Sequence, residues 1–208
     1  MPYDKVVVEK KLLRWDHYIK NFALPDWAQI PDMGLYMEQV ITYLTQKLNY
    51  LPPSISKEES LITAATINNY VRTKVMPEPV KKRYYRLHLA YLLMICTLKQ
   101  SLSIAMIKGL LPEEESEEEV RSRYTAFVER HNIAVEYFGD QMKLIAGPLL
   151  DPQTDSKIGA NTPEDLIWSS VIVAGFSKVL SQKLLALKDK DVSNAGALDF
   201  SEPVIGKH

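Results

Sequence analysis

The sequence predicts an all-α protein, and three observations support that prediction. Apolar residues recur at spacings of three and four over most of the chain, which is the period of a helix with one buried face. Only 8 glycines occur in 208 residues, whereas a β-rich chain needs many turns. Candidate N-caps and prolines separate the periodic stretches, so each stretch can form a helix of its own.

Composition narrows the class of protein. With 46 % hydrophobic and 25 % charged residues, the chain can bury a core without a disulfide or a metal. Cys96 is the single cysteine, which excludes an internal disulfide. The first residues lack the charged and apolar regions of a secretory signal. Leu166 to Leu187, the most apolar stretch, holds too many polar residues for a membrane span. We therefore expect a cytoplasmic protein with no membrane association.

Residues 1–33 are predicted to hold an N-terminal helix and a connector. The helix is expected from Val6 to Phe22, and the connector from Ala23 to Met33 contains two prolines and a tryptophan, which indicates an ordered segment. The next helix is predicted from Leu35 to Leu51, where apolar residues return at helical intervals. Pro52-Pro53 ends it.

Residues 34–111 are predicted to form a helical domain that begins with this second helix. Thr63 and Ser103 are candidate N-caps. The prolines of Met76 to Pro79 predict an extended segment between them. The further helices are predicted from Ala64 to Lys74, from Tyr85 to Lys99 and from Ile104 to Leu111. The middle one of these is apolar on nearly all sides, which predicts a central, buried helix.

Residues 112–190 are predicted to form a helical region that serves dimerisation or ligand sensing. Apolar residues keep spacings of three and four from Val120 to Ile145, which predicts one long amphipathic helix suited to coiled-coil-like pairing. Gly147 to Asn161 is predicted to be a polar loop. Thr162-Pro163 then supplies an N-cap and a proline at the first position of the last helix.

The last helix contains Trp168 and Phe176, for which ordinary core packing is the expected role. A ligand pocket or a subunit interface is the alternative for these two side chains. Residues 191–208 are expected to form a flexible tail.

Charge is distributed unevenly along the chain. The formal net charge is −1, yet eight basic residues and the single acid Glu78 give the segment from Thr63 to Lys108 a net charge of +7. The acidic run from Glu113 to Glu119 offsets most of it. Clustered bases neutralise phosphates locally whatever the total charge, so this segment fits a DNA-reading unit. The alternative is a solvated basic face that has no partner.

The same segment resembles the recognition helix and wing of mercury-resistance-type (MerR-like) regulators. The motif carrying the resemblance is Thr66-Ile67-Asn68-Asn69-Tyr70-Val71-Arg72, followed by Val75-Met76-Pro77-Glu78-Pro79. In the regulator pattern a Thr-Ile-Arg-Tyr-Tyr run leads to Gly-Leu and a proline-bearing wing. Here Asn68 replaces the arginine and Lys74 replaces the glycine, and the wing has no glycine hairpin.

Trp27 to Leu111 resembles more closely an uncharacterised bacterial family, domain of unknown function 1836. The residues that carry this resemblance are Leu35-Tyr36-Met37 with Gln39-Val40, Asn68-Asn69-Tyr70-Val71, Lys81-Lys82-Arg83-Tyr84 and Leu98-Lys99-Gln100.

The MerR-like resemblance implies that residues 34–111 form a winged helix-turn-helix domain, and it implies a set of DNA-binding residues. It would direct Thr66, Asn68, Asn69 and Arg72 to the major groove, where asparagine pairs well with adenine. Phosphate contacts would orient the protein without specifying sequence. The residues implied to contact phosphates are Lys81, Lys82, Arg83 and Tyr84. Lys74 and Arg86 complete the set of implied DNA-binding residues.

The sequence gives little support for a metal site or for enzymatic activity. The four histidines are far apart, and no phosphate-binding loop, nucleophile elbow or zinc-protease motif is present. His88 is expected to be a structural histidine and Cys96 an inert core thiol. We therefore expect no metal, no cofactor and no enzymatic activity. The enzyme alternative depends on the Trp168 region and the acidic run alone.

These observations lead to one functional expectation and one rival. We expect a sequence-specific transcriptional regulator that binds double-stranded DNA as a homodimer, with an effector ligand left open. The rival is a helical adaptor that keeps the fold but binds another protein, and the absence of arginine at Asn68 favours it.

Overall fold

The computed structural model describes residues 7–8, 10–14, 17, 22–49, 62–111, 116–150 and 159–185. Helices dominate these ranges, which confirms the all-α prediction, and the extended pairing within them is limited to isolated β-bridges. The numbered α-helices are α1 (Met37–Lys47), α2 (Ala64–Arg72), α3 (Arg86–Leu98), α4 (Ile104–Leu110), α5 (Glu117–Leu150) and α6 (Pro163–Leu185). A short 3-10 turn (Trp27–Gln29) lies before α1.

Three predicted N-caps are confirmed by their hydrogen bonds. The Thr63 side chain accepts from the Thr66 N–H at 3.1 Å, and Ser103 Oγ accepts from the Met106 N–H at 3.3 Å. Thr162 and Asp165 form a reciprocal capping box, with 3.1 Å for each bond. Each cap satisfies backbone donors that a helix start leaves without an intrahelical acceptor.

Helix α3 is the centre of the main core, as its apolar sequence predicts. Every residue from His88 to Cys96 is buried. Helices α1, α2 and α5 pack around it, and α5 contributes Val120, Tyr124 and Val128 to the same core. The core therefore extends from the connector into the first half of the long helix.

The connector before α1 is ordered, as expected. Tyr124 of α5 donates its hydroxyl hydrogen to the Pro25 carbonyl at 2.7 Å, and its ring lies 6.1 Å from that of Trp27. Of the predicted N-terminal helix, the described residues 7, 8, 10–14 and 17 are helical, whereas its predicted last residue, Phe22, is not. The predicted helix stop at Pro52-Pro53 and the tail 191–208 lie outside the described residues.

The predicted loop beginning at Gly147 is wrong at its start, because α5 continues through Pro148 to Leu150. Ala146 and Leu149 are buried in a second apolar cluster with Leu166 of α6. Burial of this last turn outweighs the hydrogen bond that the proline cannot donate. Pro152 lies outside the described residues.

The expectation of core packing for Trp168 and Phe176 is also wrong. Their exposed fractions are 64 % and 74 %, and every residue from Val171 to Lys178 is exposed. Apolar composition predicts a helix that needs a partner surface, and the described residues of this chain do not provide one at these positions. Within the described ranges, none of the helices combines the length and apolarity that a bilayer span requires.

Candidate nucleic-acid interface

Helix α2 turns one face to the core and another to solvent. Ile67 and Tyr70 are buried, whereas Asn68 and Arg72 are exposed. Asn69 is half-buried, and its Oδ1 accepts a hydrogen bond of 2.7 Å from the Arg72 guanidinium. Three of the four residues expected at the major groove therefore lie on or beside the exposed face of α2.

Thr66 lies away from that face. It is half-buried, and its hydroxyl forms a hydrogen bond with the Thr63 hydroxyl at the start of α2. In the structure Thr66 therefore belongs to the helix cap, and its side chain does not accompany those of Asn68 and Arg72.

After the end of α2, Lys74 has a backbone conformation that glycine usually adopts. Lys74 has a left-handed backbone with φ 55°. The Lys74 N–H donates to Val71 O, and the Val75 N–H donates to Tyr70 O, both at 2.9 Å. These two bonds define a Schellman motif, whose left-handed position usually carries glycine. Lys74 thus adopts a conformation that usually favours glycine, and its side chain is exposed.

A lysine lies at each tip position of a two-residue hairpin after the proline segment. Val80 and Arg83 exchange backbone hydrogen bonds of 3.1 and 2.9 Å, and Lys81 and Lys82 have φ 48° and 62°. Two consecutive positive φ values between paired residues are the signature of a type I′ turn, which favours asparagine and glycine. The segment after the prolines therefore contains a hairpin although no glycine stands at its tip, and both lysines are exposed.

The base of the hairpin is attached to the segment before α1. Leu35 and Tyr84 form an antiparallel bridge with hydrogen bonds of 2.8 and 2.9 Å. The Arg83 guanidinium donates to Tyr36 Oη at 2.7 Å and to Gly34 O at 3.2 Å, and its carbon lies 4.4 Å from the Tyr36 ring centroid. Arg83 is therefore held in place while it remains exposed.

Tyr36 is the member of this arrangement that sequence reasoning did not assign to the site. The sequence places Tyr36 only in the family resemblance, because a lone tyrosine before a helix gives no local signal of contact with a residue so distant in the chain. The sequence shows Lys108 of α4 only as one of the basic residues of its segment. Its ammonium donates to Thr73 O at 3.3 Å and thereby joins α4 to the end of α2.

Two residues of the implied DNA-binding set lie elsewhere. Tyr84 is only 3 % exposed, its ring packs edge-on to His88, and burial raises its pKa. Arg86 donates to Ile30 O at 3.0 Å and pairs with Asp32 at 3.5 Å. Both side chains make contacts within the fold, so neither lies beside the exposed lysines as a candidate phosphate contact.

His88 and Cys96 have the structural surroundings expected for them. His88 Nδ1 accepts from the Tyr85 N–H at 3.0 Å, so the opposite ring nitrogen, Nε2, donates to Glu78 O at 2.9 Å. Burial raises the pKa of the Cys96 thiol to about 12, which makes the reactive thiolate scarce. Among the described residues, no group of three candidate ligands is arranged to hold a metal ion.

Comparison with known proteins assigns the chain to a family. The model of a domain of unknown function (DUF1836) matches residues 25–128, which is half of the chain. The chain belongs to this family. The DUF1836 match contains α1 to α4 and the start of α5, and therefore the whole candidate interface, whereas α6 lies beyond it. The comparisons found no matching curated protein and no matching solved structure.

Proposed function

We propose that this DUF1836 protein is a sequence-specific transcriptional regulator that binds double-stranded DNA as a dimer. In this proposal α2 enters the major groove and the hairpin contacts phosphates beside it. The observation that carries the proposal is the hairpin tip, where two exposed lysines occupy backbone positions that favour asparagine or glycine.

The backbone strain at the tip supports a functional role for its side chains. A left-handed conformation costs roughly 1–2 kcal/mol for a residue other than glycine. Lys81 and Lys82 both adopt this conformation, and their side chains are exposed and take no part in the apolar core. Residues held in disfavoured backbone conformations cluster at functional sites. Two ammonium groups at the end of a short hairpin suit contact with a polyanion.

Helix α2 contributes the groups that could distinguish bases. Asn68 offers a donor and an acceptor that match the adenine edge, and an arginine such as Arg72 matches guanine. Both side chains are exposed on the same helix. The Arg72 bond to Asn69 restrains the guanidinium, which lowers the entropy lost when it binds.

In this proposal the positive charge around α2 and the hairpin supplies affinity for DNA that does not depend on the DNA sequence. Arg72, Lys74, Lys81, Lys82 and Arg83 are all exposed. Such groups neutralise phosphates and release counterions, so binding should weaken steeply as salt is added. A symmetric dimer would carry two copies of this surface to half-sites about one DNA turn apart.

The test is a salt series of fluorescence-anisotropy or gel-retention measurements on the DNA upstream of the protein's own gene. For the wild type, log affinity should fall linearly with log salt, with a slope of about 0.9 per phosphate neutralised. Replacing Lys81→Asn and Lys82→Gly together removes both charges but keeps residues that a type I′ turn prefers. This variant should bind all sequences more weakly, with the slope reduced by about 2 × 0.9.

Two matched variants complete the design. Arg121→Gln with Arg130→Gln removes the same charge from exposed positions of α5 and should leave the slope unchanged. Asn68→Ala should relax the preference for specific over random DNA by about 1–3 kcal/mol while keeping the slope. Binding that does not depend on salt, or no retention of the upstream DNA at low salt, would contradict the proposal and favour the adaptor.

A further inference from the structure

The solvent-facing side of α6 is an apolar surface without a partner in the described chain. Leu166 anchors the helix start in the second apolar cluster, and Leu185 packs on the main core at its end. Between these contacts no charged residue occurs from Leu166 to Ser177. Large apolar side chains of this helix with high exposure are Ile167, Trp168, Val171, Ile172, Val173, Phe176 and Leu180.

The size of this surface indicates that another molecule covers it. A fully exposed aromatic side chain presents about 150–250 Å² to water, so the four large side chains on one side of α6, Trp168, Val171, Ile172 and Phe176, together present on the order of 500 Å². The largest apolar patch of a typical monomer is about 300–600 Å². The α6 surface reaches the upper part of that range on a single helix, and patches of that size are often functional.

The order of residues along α6 fits a second copy of the same helix running in the opposite direction. We define the α6 face as Trp168, Val171, Ile172, Gly175 and Phe176, whose spacings of three and four place them on one side of the helix. A two-fold axis between Val171 and Ile172 would bring Trp168 of each copy level with Gly175 of the other. A Cβ at Gly175 would meet nothing within 4 Å, so the large ring has open space beside it.

Charge complementarity favours the same arrangement. Glu164 lies at the start of α6 and Lys178 near its end, and both are exposed. Antiparallel pairing brings the glutamate of one copy close to the lysine of the other, twice by symmetry, whereas parallel pairing would bring like charges together. We propose that the α6 face is the contact through which two copies of this chain form an antiparallel, two-fold dimer.

This inference deepens the proposed function, which requires two copies, but its test uses no DNA, so the two can fail separately. Sedimentation velocity of the full-length wild type at micromolar concentrations should give twice the mass of one chain. Trp168→Glu should give the monomer. Ser177→Glu adds the same charge to an exposed position on another side of α6 and should leave the dimer intact.

Two further variants separate loss of contact from loss of the helix. Gly175→Leu raises helix propensity but fills the space opposite Trp168, so the dimer should weaken by about tenfold or more although α6 is stabilised. Glu164→Lys and Lys178→Glu should each weaken the dimer of identical chains. Mixing these two variants should restore dimers, because opposite charges then meet at both ends.

A wild type that stays monomeric over the whole concentration range would overturn the proposal. So would a dimer that persists in both Trp168→Glu and Gly175→Leu. Binding of monomeric wild type to lipid vesicles, lost in Trp168→Glu, would assign the surface to a membrane and would also overturn it.

Discussion

Val80 and Arg83 exchange two backbone hydrogen bonds, which leaves Lys81 and Lys82 as the whole turn between them. Both lysines therefore adopt positive φ values. The same pairing sets Arg83 beside Tyr36, where the guanidinium is held by a hydrogen bond and by the face of the ring. Three basic side chains are thus carried by a turn whose base is hydrogen-bonded within itself and to Leu35, which favours a binding role over a solvated charge run.

Replacing Lys81→Asn and Lys82→Gly together should stabilise the protein. Asparagine and glycine tolerate the left-handed backbone that lysine adopts at a cost of roughly 1–2 kcal/mol per residue. Because glycine also increases the entropy of the unfolded chain, we expect a net gain of about 1 kcal/mol in the free energy of unfolding. Urea denaturation followed by circular dichroism measures it. A loss of stability would show that the lysines support the fold and would weaken the argument from strain.

Replacing Lys74→Gly should stabilise the protein by about 0.5–1 kcal/mol, because glycine adopts the left-handed position of a Schellman motif without steric cost. Lys74→Val should destabilise it by more than that, because a β-branched side chain is a genuine outlier at positive φ. Thermal melts of the two variants against wild type provide the measurement. Equal melting temperatures for the glycine and valine variants would contradict the geometry at φ 55°.

Local signals predicted the parts of the fold that depend on neighbouring residues. Thr63, Ser103 and Thr162 are followed by helices whose first turns bond to them, so the cap pattern was sufficient. The buried position of α3 follows in the same way from its apolar sequence. These features require only that a helix satisfy its ends and bury its apolar surface.

Features that depend on distant residues could not be predicted from the sequence. The Lys81-Lys82 turn lacks the asparagine or glycine that marks a type I′ turn, and the pairing of Leu35 with Tyr84 stabilises it from outside. Helix α5 passes Pro148 because its end is buried against α6. The exposure of Trp168 could not be predicted, because an apolar helix has the same sequence pattern whether it packs on its own core or on another molecule.

Replacing Gly34→Ala should destabilise the protein by about 1–3 kcal/mol, the usual effect of overpacking. A Cβ at Gly34 would lie 2.9 Å from both Cβ and Cδ of Arg83 and 3.0 Å from the Tyr85 ring. The matched control is Gly109→Ala in α4, where a Cβ meets nothing within 4 Å and helix propensity predicts a gain of about 0.5–1 kcal/mol. Chemical denaturation of both variants is the measurement. Gly34→Ala without a loss of stability would mean that the backbone at Arg83 can shift away from Gly34.

Stability should fall as the pH drops below about 6.5, the ordinary pKa of histidine. Burial lowers the pKa of both His88 and His131 in the folded protein. The unfolded chain therefore takes up these protons first. The favourable contribution is complete above pH 6.5 and is lost as the pH falls towards the folded pKa values, with a slope of up to about 1.4 kcal/mol per pH unit for each histidine.

The variants His88→Gln and His131→Phe isolate this effect. Glutamine has an acceptor for the Tyr85 N–H and a donor for Glu78 O but does not titrate, and phenylalanine keeps ring packing against Phe22 and Phe127. The free energy of unfolding, measured by urea denaturation at a series of values between about pH 7 and 5, should become flatter in each variant and flattest in the double variant. If the double variant loses stability as steeply as wild type, carboxylates rather than these two buried imidazoles govern the acid sensitivity of the fold.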